Sequence, residues 1–319
     1  MRINNTNSAH ICAISDARAG NARQADALAS ALGAPFTSLA LTPRAPWRWT
    51  APRRWPGAAH GHGEAFSALL DAPPAIAIGC GRQAALATRL LGERCAKTVQ
   101  ILDPRLDPRL WDLVVVPDHD PLRGPNVIPM LGSLHPVDDA WLAQARIEFA
   151  AFAALPSPRT AVLLGGTSVH TRFDRMSFEV MASKLEVVLA TEGGSVLLST
   201  SRRTPAELRD ALKHRYDDTP GVVWRSADDG PNPYAGLLAW ADRIICSPDS
   251  VNMISEACAT RVPVFVFDPA RVRGRPRAFV DTLLSRGRIR AMDTRLDVFD
   301  VEPLRETARV AAQVSERLR

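Results

Sequence analysis

The chain has 319 residues, 46% of them hydrophobic, and a formal net charge of +5. That length is about two domains' worth at roughly 150 residues each and can fill two cores, which excludes a disordered chain. The basic balance allows an anionic ligand or surface, but no aromatic-basic module accompanies it, so nucleic acid is not an expected partner.

In chain order, HICAIS (10–15), AIAIG (75–79), TVQIL (98–102) and LVVVP (113–117) read as strands, and ADALASALG (25–33), RQAALATRLL (82–91) and DDAWLAQARIEFAAFAAL (138–155) as helices. Between the first strand and the second, TPRAPWRWTAPRRWPGAAHGHG (42–63) is a surface excursion with three Trp, open between a packed irregular connection and a lid. Prolines in LPSPRT (155–160) end the long helix, and TAVLLGG (160–166) restarts the alternation. SVLLST, a helix from about Pro205, GVVWR, a short helix around 235–241, RIICS, a helix over 250–260 and VPVFVF then follow. The final EPLRETARVAAQVSERLR is an amphipathic helix.

This alternation predicts an α/β chain of two doubly wound, Rossmann-like domains, residues 1–155 and 156–300, facing across a cleft, with residues 301–319 packing back on the body. Ligands are then expected at the carboxyl ends of the strands. VPVFVF and its like are far shorter than the roughly 18 residues of a membrane span. MRINNTNSAHICAIS (1–15) lacks the apolar core of a secretory signal, so the expected location is cytoplasmic. The five cysteines, 12, 80, 95, 246 and 258, are odd in number and dispersed, which fits reduced, mostly buried thiols.

The polar residues gather after strands. With a helix starting near Asp249 or Ser250, Asp249, Asn252 and Glu256 fall at i, i+3 and i+7 on one face, and Val251, Ile254 and Cys258 on another. The helix N-terminus can meet a phosphate, with Ser250 adding a hydroxyl, while Glu256 holds ribose hydroxyls; the competing reading is that Asp249 or Ser250 only caps the helix. Asp16, on a turn with Gly20 after the first strand, can act as general base or merely cap the next helix. IGCGRQ (with Gly81) and LLGGTS (with Gly165, Gly166, Thr167 and Ser168) are glycine turns that let backbone amides approach a ligand, or are needed only sterically. STSRRT supplies Ser199 and Arg202, suited to a pyrophosphate or to a solvated turn.

Asp118, His119 and Asp120 follow LVVVP. Neighbours on an extended chain alternate in direction, so a metal site is disfavoured against a carboxylate-oriented His119 or a structural turn. ARVRGRPRAF (270–279), containing Arg277, can grip an anionic group or form a basic loop. Neither GxGxxG nor a helical YxxxK pair is present, which argues against a dinucleotide enzyme or NAD-dependent epimerase.

Three stretches together, SDARAGNARQADALASALG (15–33), QILDPRLDPRLWDLVVVPDHDPLRGPNV (100–127) and NPYAGLLAWADRIICSPDSVNMISEACATRVPVFVF (232–267), resemble the family that includes the plant mitochondrial fission factor called elongated mitochondria and many bacterial glycosyltransferase-like proteins. The resemblance covers about residues 12–290. It implies a GT-B fold and a metal-independent, inverting transfer from a nucleotide sugar, a substrate rather than a cofactor, with no cofactor needed. It further implies Asn232, Pro233 and Tyr234 near the nucleobase, Ser247 to Ser250 near the diphosphate, Glu256 on the ribose, and Arg277 and Phe279 near the donor sugar. The family's bacterial setting and the basic charge imply an envelope saccharide or lipid-linked acceptor and peripheral association with the inner face of the cytoplasmic membrane. The plant relative implies the alternative, a non-catalytic adaptor on the same scaffold. Ser15-Asp16-Ala17 stands where relatives commonly have SDG, and Arg261 where many have Gly.

Overall fold

The computed structural model describes residues 10–16 and 18–319. Residues 1–9, on which part of the signal-segment reading fell, and Ala17 lie outside the described residues. The chain splits into two compact units: one runs to Pro136 and takes up Glu306–Arg319, and the other is Val137–Arg305.

In the first unit β1 (Ile11–Ser15), α1 (Ala19–Ala31), β2 (Phe36–Ala40), a short α2 (Trp47–Thr50) and α3 (Glu64–Asp71) are followed by β3 (Ile76–Cys80), α4 (Arg82–Gly92), β4 (Lys97–Ile101), β5 (Leu113–Pro117) and β6 (Val127–Met130). The strands form one parallel sheet in the order β2-β1-β3-β4-β5-β6. Alternate residues of β1 feed opposite faces: Ile11 and Ala13 join Leu28 of α1, whereas Cys12 and Ile14 join Phe66 of α3 and Leu86 of α4. Apolar side chains on both faces are why the inner strands read as continuous hydrophobic runs. The chain leaves β1 toward β2 on one side and returns to β3 on the other, a topological switch point at the carboxyl ends of β1 and β3.

The second unit contains α5 (Asp139–Glu148), β7 (Arg159–Leu164), α6 (Arg175–Glu192), β8 (Ser195–Thr200), α7 (Ala206–Ala211), β9 (Gly221–Trp224), α8 (Tyr234–Trp240), β10 (Arg243–Cys246), α9 (Val251–Cys258), β11 (Val264–Val266), α10 (Arg275–Ser285) and β12 (Ile289–Ala291). Its parallel sheet has the order β12-β11-β10-β7-β8-β9, the doubly wound Rossmann arrangement with its switch point between β7 and β10. Arg288 is buried where α9 ends, and its guanidinium donates to the carbonyls of Cys258 (2.9 Å) and Thr260 (2.9 Å). A cation on carbonyls that lack intrahelical partners complements the helix dipole and fixes the end of α9.

The units divide at Pro136 rather than between 155 and 156, because α5 is tied into the second unit. The Phe149 ring lies where a Cβ on Gly236 of α8 would come within 2.5 Å, and Arg146 Nε donates to the Ala239 carbonyl at 2.9 Å. Asp139 is clamped by Arg305 (2.7 Å) and Arg261 (2.9 Å), whose guanidiniums hold its carboxyl far below the usual carboxylate range. Arg261, a departure from the family pattern, thus has a local structural partner. The predicted 138–155 helix stops at Glu148 and continues as a 3₁₀ turn over Ala150–Ala154. The final helix, α11 (Glu306–Arg317), returns to the first unit. There Val310 and Val314 enter the cluster built on Ile11 and Leu28, and Glu306 accepts from the Leu131 N–H at 3.0 Å.

Within the 42–63 excursion Trp47 is packed: its indole N–H donates to the Pro56 carbonyl at 3.0 Å, and its ring lies 2.8 Å from where a Cβ on Gly61 would sit. Trp49 and Trp55 are exposed. Four cysteines are buried and unpaired, Cys95 is exposed, and burial pushes the Cys258 thiol up to about 11. Among the described residues no helix is long and apolar enough to cross a membrane.

His62 is 2% exposed, edge-on to Phe66 with ring centroids 5.1 Å apart, and neither ring nitrogen has a hydrogen-bond partner. Burial pushes its pKa down to about 4. The unfolded chain therefore binds a proton that the folded chain refuses between roughly pH 6.5 and 4, and stability falls as pH drops through that window. The expected loss from this residue is about 3 kcal/mol. Urea midpoints at pH 7 and pH 4 should separate less in His62→Leu than in the parent.

Candidate nucleotide site

At the β7/β10 switch point the second unit brings three turns onto one buried carboxylate. The Asp249 side chain is 0% exposed and accepts from the Gly166 N–H (3.0 Å), the Ser247 hydroxyl (2.6 Å) and Arg203 Nη2 (2.7 Å). Ser247 Oγ in turn accepts from the Gly165 N–H at 2.7 Å. Thr204, buried after β8, donates its hydroxyl to the carbonyls of Leu164 (3.1 Å) and Gly165. No side chain fits at either glycine: a Cβ on Gly165 would lie 2.2 Å from the Asp249 oxygens and one on Gly166 2.2 Å from the Arg203 carbonyl.

Ser250 is the N-cap of α9, its hydroxyl accepting from the Met253 N–H at 3.4 Å. Asp249 is not turned outward beside Asn252; its carboxylate faces the β7 turn. Asn252 is partly exposed, and Glu256 is 4% exposed. On the other flank Asn232 Oδ1 accepts from the Ser199 hydroxyl (3.0 Å) and the Tyr234 N–H (3.0 Å), which ties β8 to the start of α8. Pro233 is buried as the residue preceding that helix. Thr167 donates its hydroxyl to the Phe173 carbonyl at 3.1 Å.

Of the two arginines in STSRRT, both exposed, Arg203 reaches Asp249. Arg277 pairs with Asp281 (2.8 Å) and donates to the Ala270 carbonyl (2.8 Å), and Phe279 is 1% exposed.

In the first unit Asp16 follows β1, and its carboxylate is 12% exposed and accepts from Asn21 Nδ2 at 2.8 Å. Gly81, at φ +90° after β3, leaves room for this pair, since a Cβ there would meet Asn21 Nδ2 at 2.5 Å. Gly20 is not in the turn but in the first turn of α1. A cavity of about 900 Å³ opens at these strand ends, with Asp16, Asn21 and Gly81 in its wall and Thr42, Arg48 and Pro52 contributed by the Trp-containing excursion. Asp118, His119 and Asp120 do not line it. Arg123 holds their turn, donating to the Asp118 carboxylate (3.0 Å) and carbonyl (2.9 Å), which is a structural role for that segment. Among the described residues no His, Cys, Asp and Glu cluster could hold a metal ion.

These two doubly wound units define a GT-B-like scaffold. The solved UDP-GlcNAc 2-epimerase from Neisseria meningitidis, bound to UDP-GlcNAc, resembles the chain with a TM-score of 0.59 at 12% identity, covering 97% of this chain and 99% of that one. Residues 19–318 match the mitochondrial fission ELM1 family, and the chain belongs to it. The mitochondrial fission protein ELM1 of Arabidopsis thaliana is 32% identical over 276 residues, which cover 77% of this chain and 64% of the plant protein. The chain thus spans less than two thirds of that relative. An uncharacterized Rickettsia prowazekii protein, RP120, is 26% identical over 95% of this chain and 96% of its own length.

Removing the buried carboxylate orphans the Gly166 N–H and a half-exposed guanidinium. Asp249→Ala is expected to cost about 2–3 kcal/mol. Gly165→Ala, which must displace that carboxylate, is expected to cost at least as much. Both are read from denaturant midpoints at unchanged slope.

Proposed function

We propose that the chain binds a nucleotide sugar on its second unit and transfers the sugar to a hydroxyl acceptor by a metal-independent, inverting mechanism. The observation that carries this reading is the β7/β10 switch point, where backbone amides, hydroxyls and the N-terminus of α9 gather on turns fixed by Asp249. UDP-GlcNAc in the similarly folded Neisseria enzyme supports a nucleotide sugar as the ligand class.

In this reading the diphosphate lies at Ser250 and the start of α9, Glu256 holds the ribose, and Asn232, Pro233 and Tyr234 flank the nucleobase. The Asp249 carboxylate repels phosphate, but its charge is already engaged by Arg203 and the Gly166 N–H. Its part is to hold the turns. Asp16 is the proposed base, and Asn21 orients its carboxylate through the 2.8 Å hydrogen bond. The acceptor oxygen attacks the anomeric carbon as its proton passes to Asp16; the bond to the diphosphate breaks on the opposite face, and helix dipole and hydroxyl groups stabilise the leaving charge. An envelope saccharide or lipid-linked alcohol is the proposed acceptor, at the inner face of the cytoplasmic membrane.

A thermal-shift screen against UDP, GDP, CMP, ADP and dTDP and their common sugars, with and without Mg²⁺, tests the donor site. A selective, Mg²⁺-independent rise is expected, about 2.7 kcal/mol at a hundred times the dissociation constant. Glu256→Gln should weaken that binding about 10- to 100-fold, the loss of a hydrogen bond to a charged group. No shift with any nucleotide in a folded sample would favour an adaptor role instead.

A further inference from the structure

The first-unit cavity carries a charge pattern that general-base chemistry does not need. Its ionisable lining consists of four guanidiniums, from Arg18, Arg48, Arg82 and Arg105, against two carboxylates, Asp16 and Asp103. One cation is partly spent: Arg18 Nε lies 3.8 Å from Asp16. Arg82 donates to the Arg48 carbonyl at 3.2 Å, which fastens α4 to the excursion above it. The side chains of Arg48 and Arg105 have no hydrogen bond or ion pair among the described residues.

The floor of the cavity is also electropositive. The N-cap of α4 is Gly81, which has no side chain to cap it, no acidic residue lies in the first turn, and α1 likewise starts without a side-chain cap. Free N–H groups and the positive dipole end of α4 therefore face outward at the strand ends. Gln83, 5% exposed and lining the cavity, donates to the Arg48 carbonyl at 2.7 Å, while its Oε1 has no partner. A volume of about 900 Å³ exceeds what a lone inorganic anion fills and suits an organic molecule bearing one.

We infer that this cavity binds a phosphate-bearing acceptor, its phosphate held by Arg48, Arg82, Arg105 and the N-terminus of α4, with its hydroxyl side toward Asp16. Guanidinium forks match phosphate oxygens two at a time, and the pair left unengaged supplies both the charge and the donors. As an acceptor site this rests on the proposed sugar transfer; as a phosphate site it stands on the cavity alone. The phosphate can belong to a soluble sugar phosphate or to a lipid headgroup.

The test uses the 319-residue chain and the double variant Arg48→Ala/Arg105→Ala, with Arg53→Ala, an exposed arginine outside the cavity, as control. Calorimetric titration with glucose 1-phosphate and inorganic pyrophosphate measures the soluble arm. Sedimentation with phosphatidylcholine vesicles, with and without 10 mol% phosphatidic acid, measures the headgroup arm. The expected result is at least a tenfold weaker affinity in the double variant in one arm and no change in the control. Nucleotide thermal shifts should be the same in all three chains. Equal weakening in the control, or no binding in either arm by a chain that still binds nucleotide, overturns this inference and leaves the donor reading intact. Phosphate binding that depends on the two arginines, in a chain that binds no nucleotide, upholds the site and defeats the transfer reaction.

Discussion

The second unit is organised around a carboxylate removed from water. Asp249 sits where the turns after β7, β8 and β10 converge, and each contributes a donor: Gly166 N–H, Arg203 and Ser247. A buried carboxylate is costly unless its lone pairs are filled, so the three turns are held together by the penalty for parting them. The glycines at 165 and 166 follow from this, because the backbone must approach closer than any Cβ permits. The amides and hydroxyls that make this a candidate ligand site are therefore ordered before a ligand arrives, which reduces the ordering cost of binding.

Much of this was legible in the sequence. The inner strands announced themselves as apolar runs because both faces of each sheet are covered. The strands that escaped notice, β2, β6 and β12, all lie at sheet edges. There β2 is largely exposed, β6 carries Pro129, and β12 is three residues with an exposed Arg290. Edge positions need no continuous hydrophobicity, so the signal is missing for a physical reason. The polar turns were likewise visible, but not which way their side chains point. Asp249 and Asn252 looked alike by helical spacing, yet one lies before the helix and turns inward while the other is on its surface. Spacing rules hold only within a helix, and Asp249 lies one residue before its cap, Ser250.

The two units use one construction with different wiring. Both are parallel and doubly wound, but the first turns at β1/β3 and the second at β7/β10. Each switch point is flanked by a glycine that a side chain would obstruct, Gly81 in the first and Gly165 in the second. The chemistry diverges from there: the second unit's turn is closed on an internal anion, whereas the first unit's cavity leaves cations without partners.

The return of α11 to the first unit also orders events during synthesis. Ile11 and Leu28 lie in a cluster that is covered only when Val310 and Val314 arrive, nearly three hundred residues later along the chain. Every strand of the second unit has by then been made, since β12 ends at Ala291. The unit that begins first therefore finishes last, and on the ribosome it waits with part of one sheet face uncovered while its neighbour can complete its own fold.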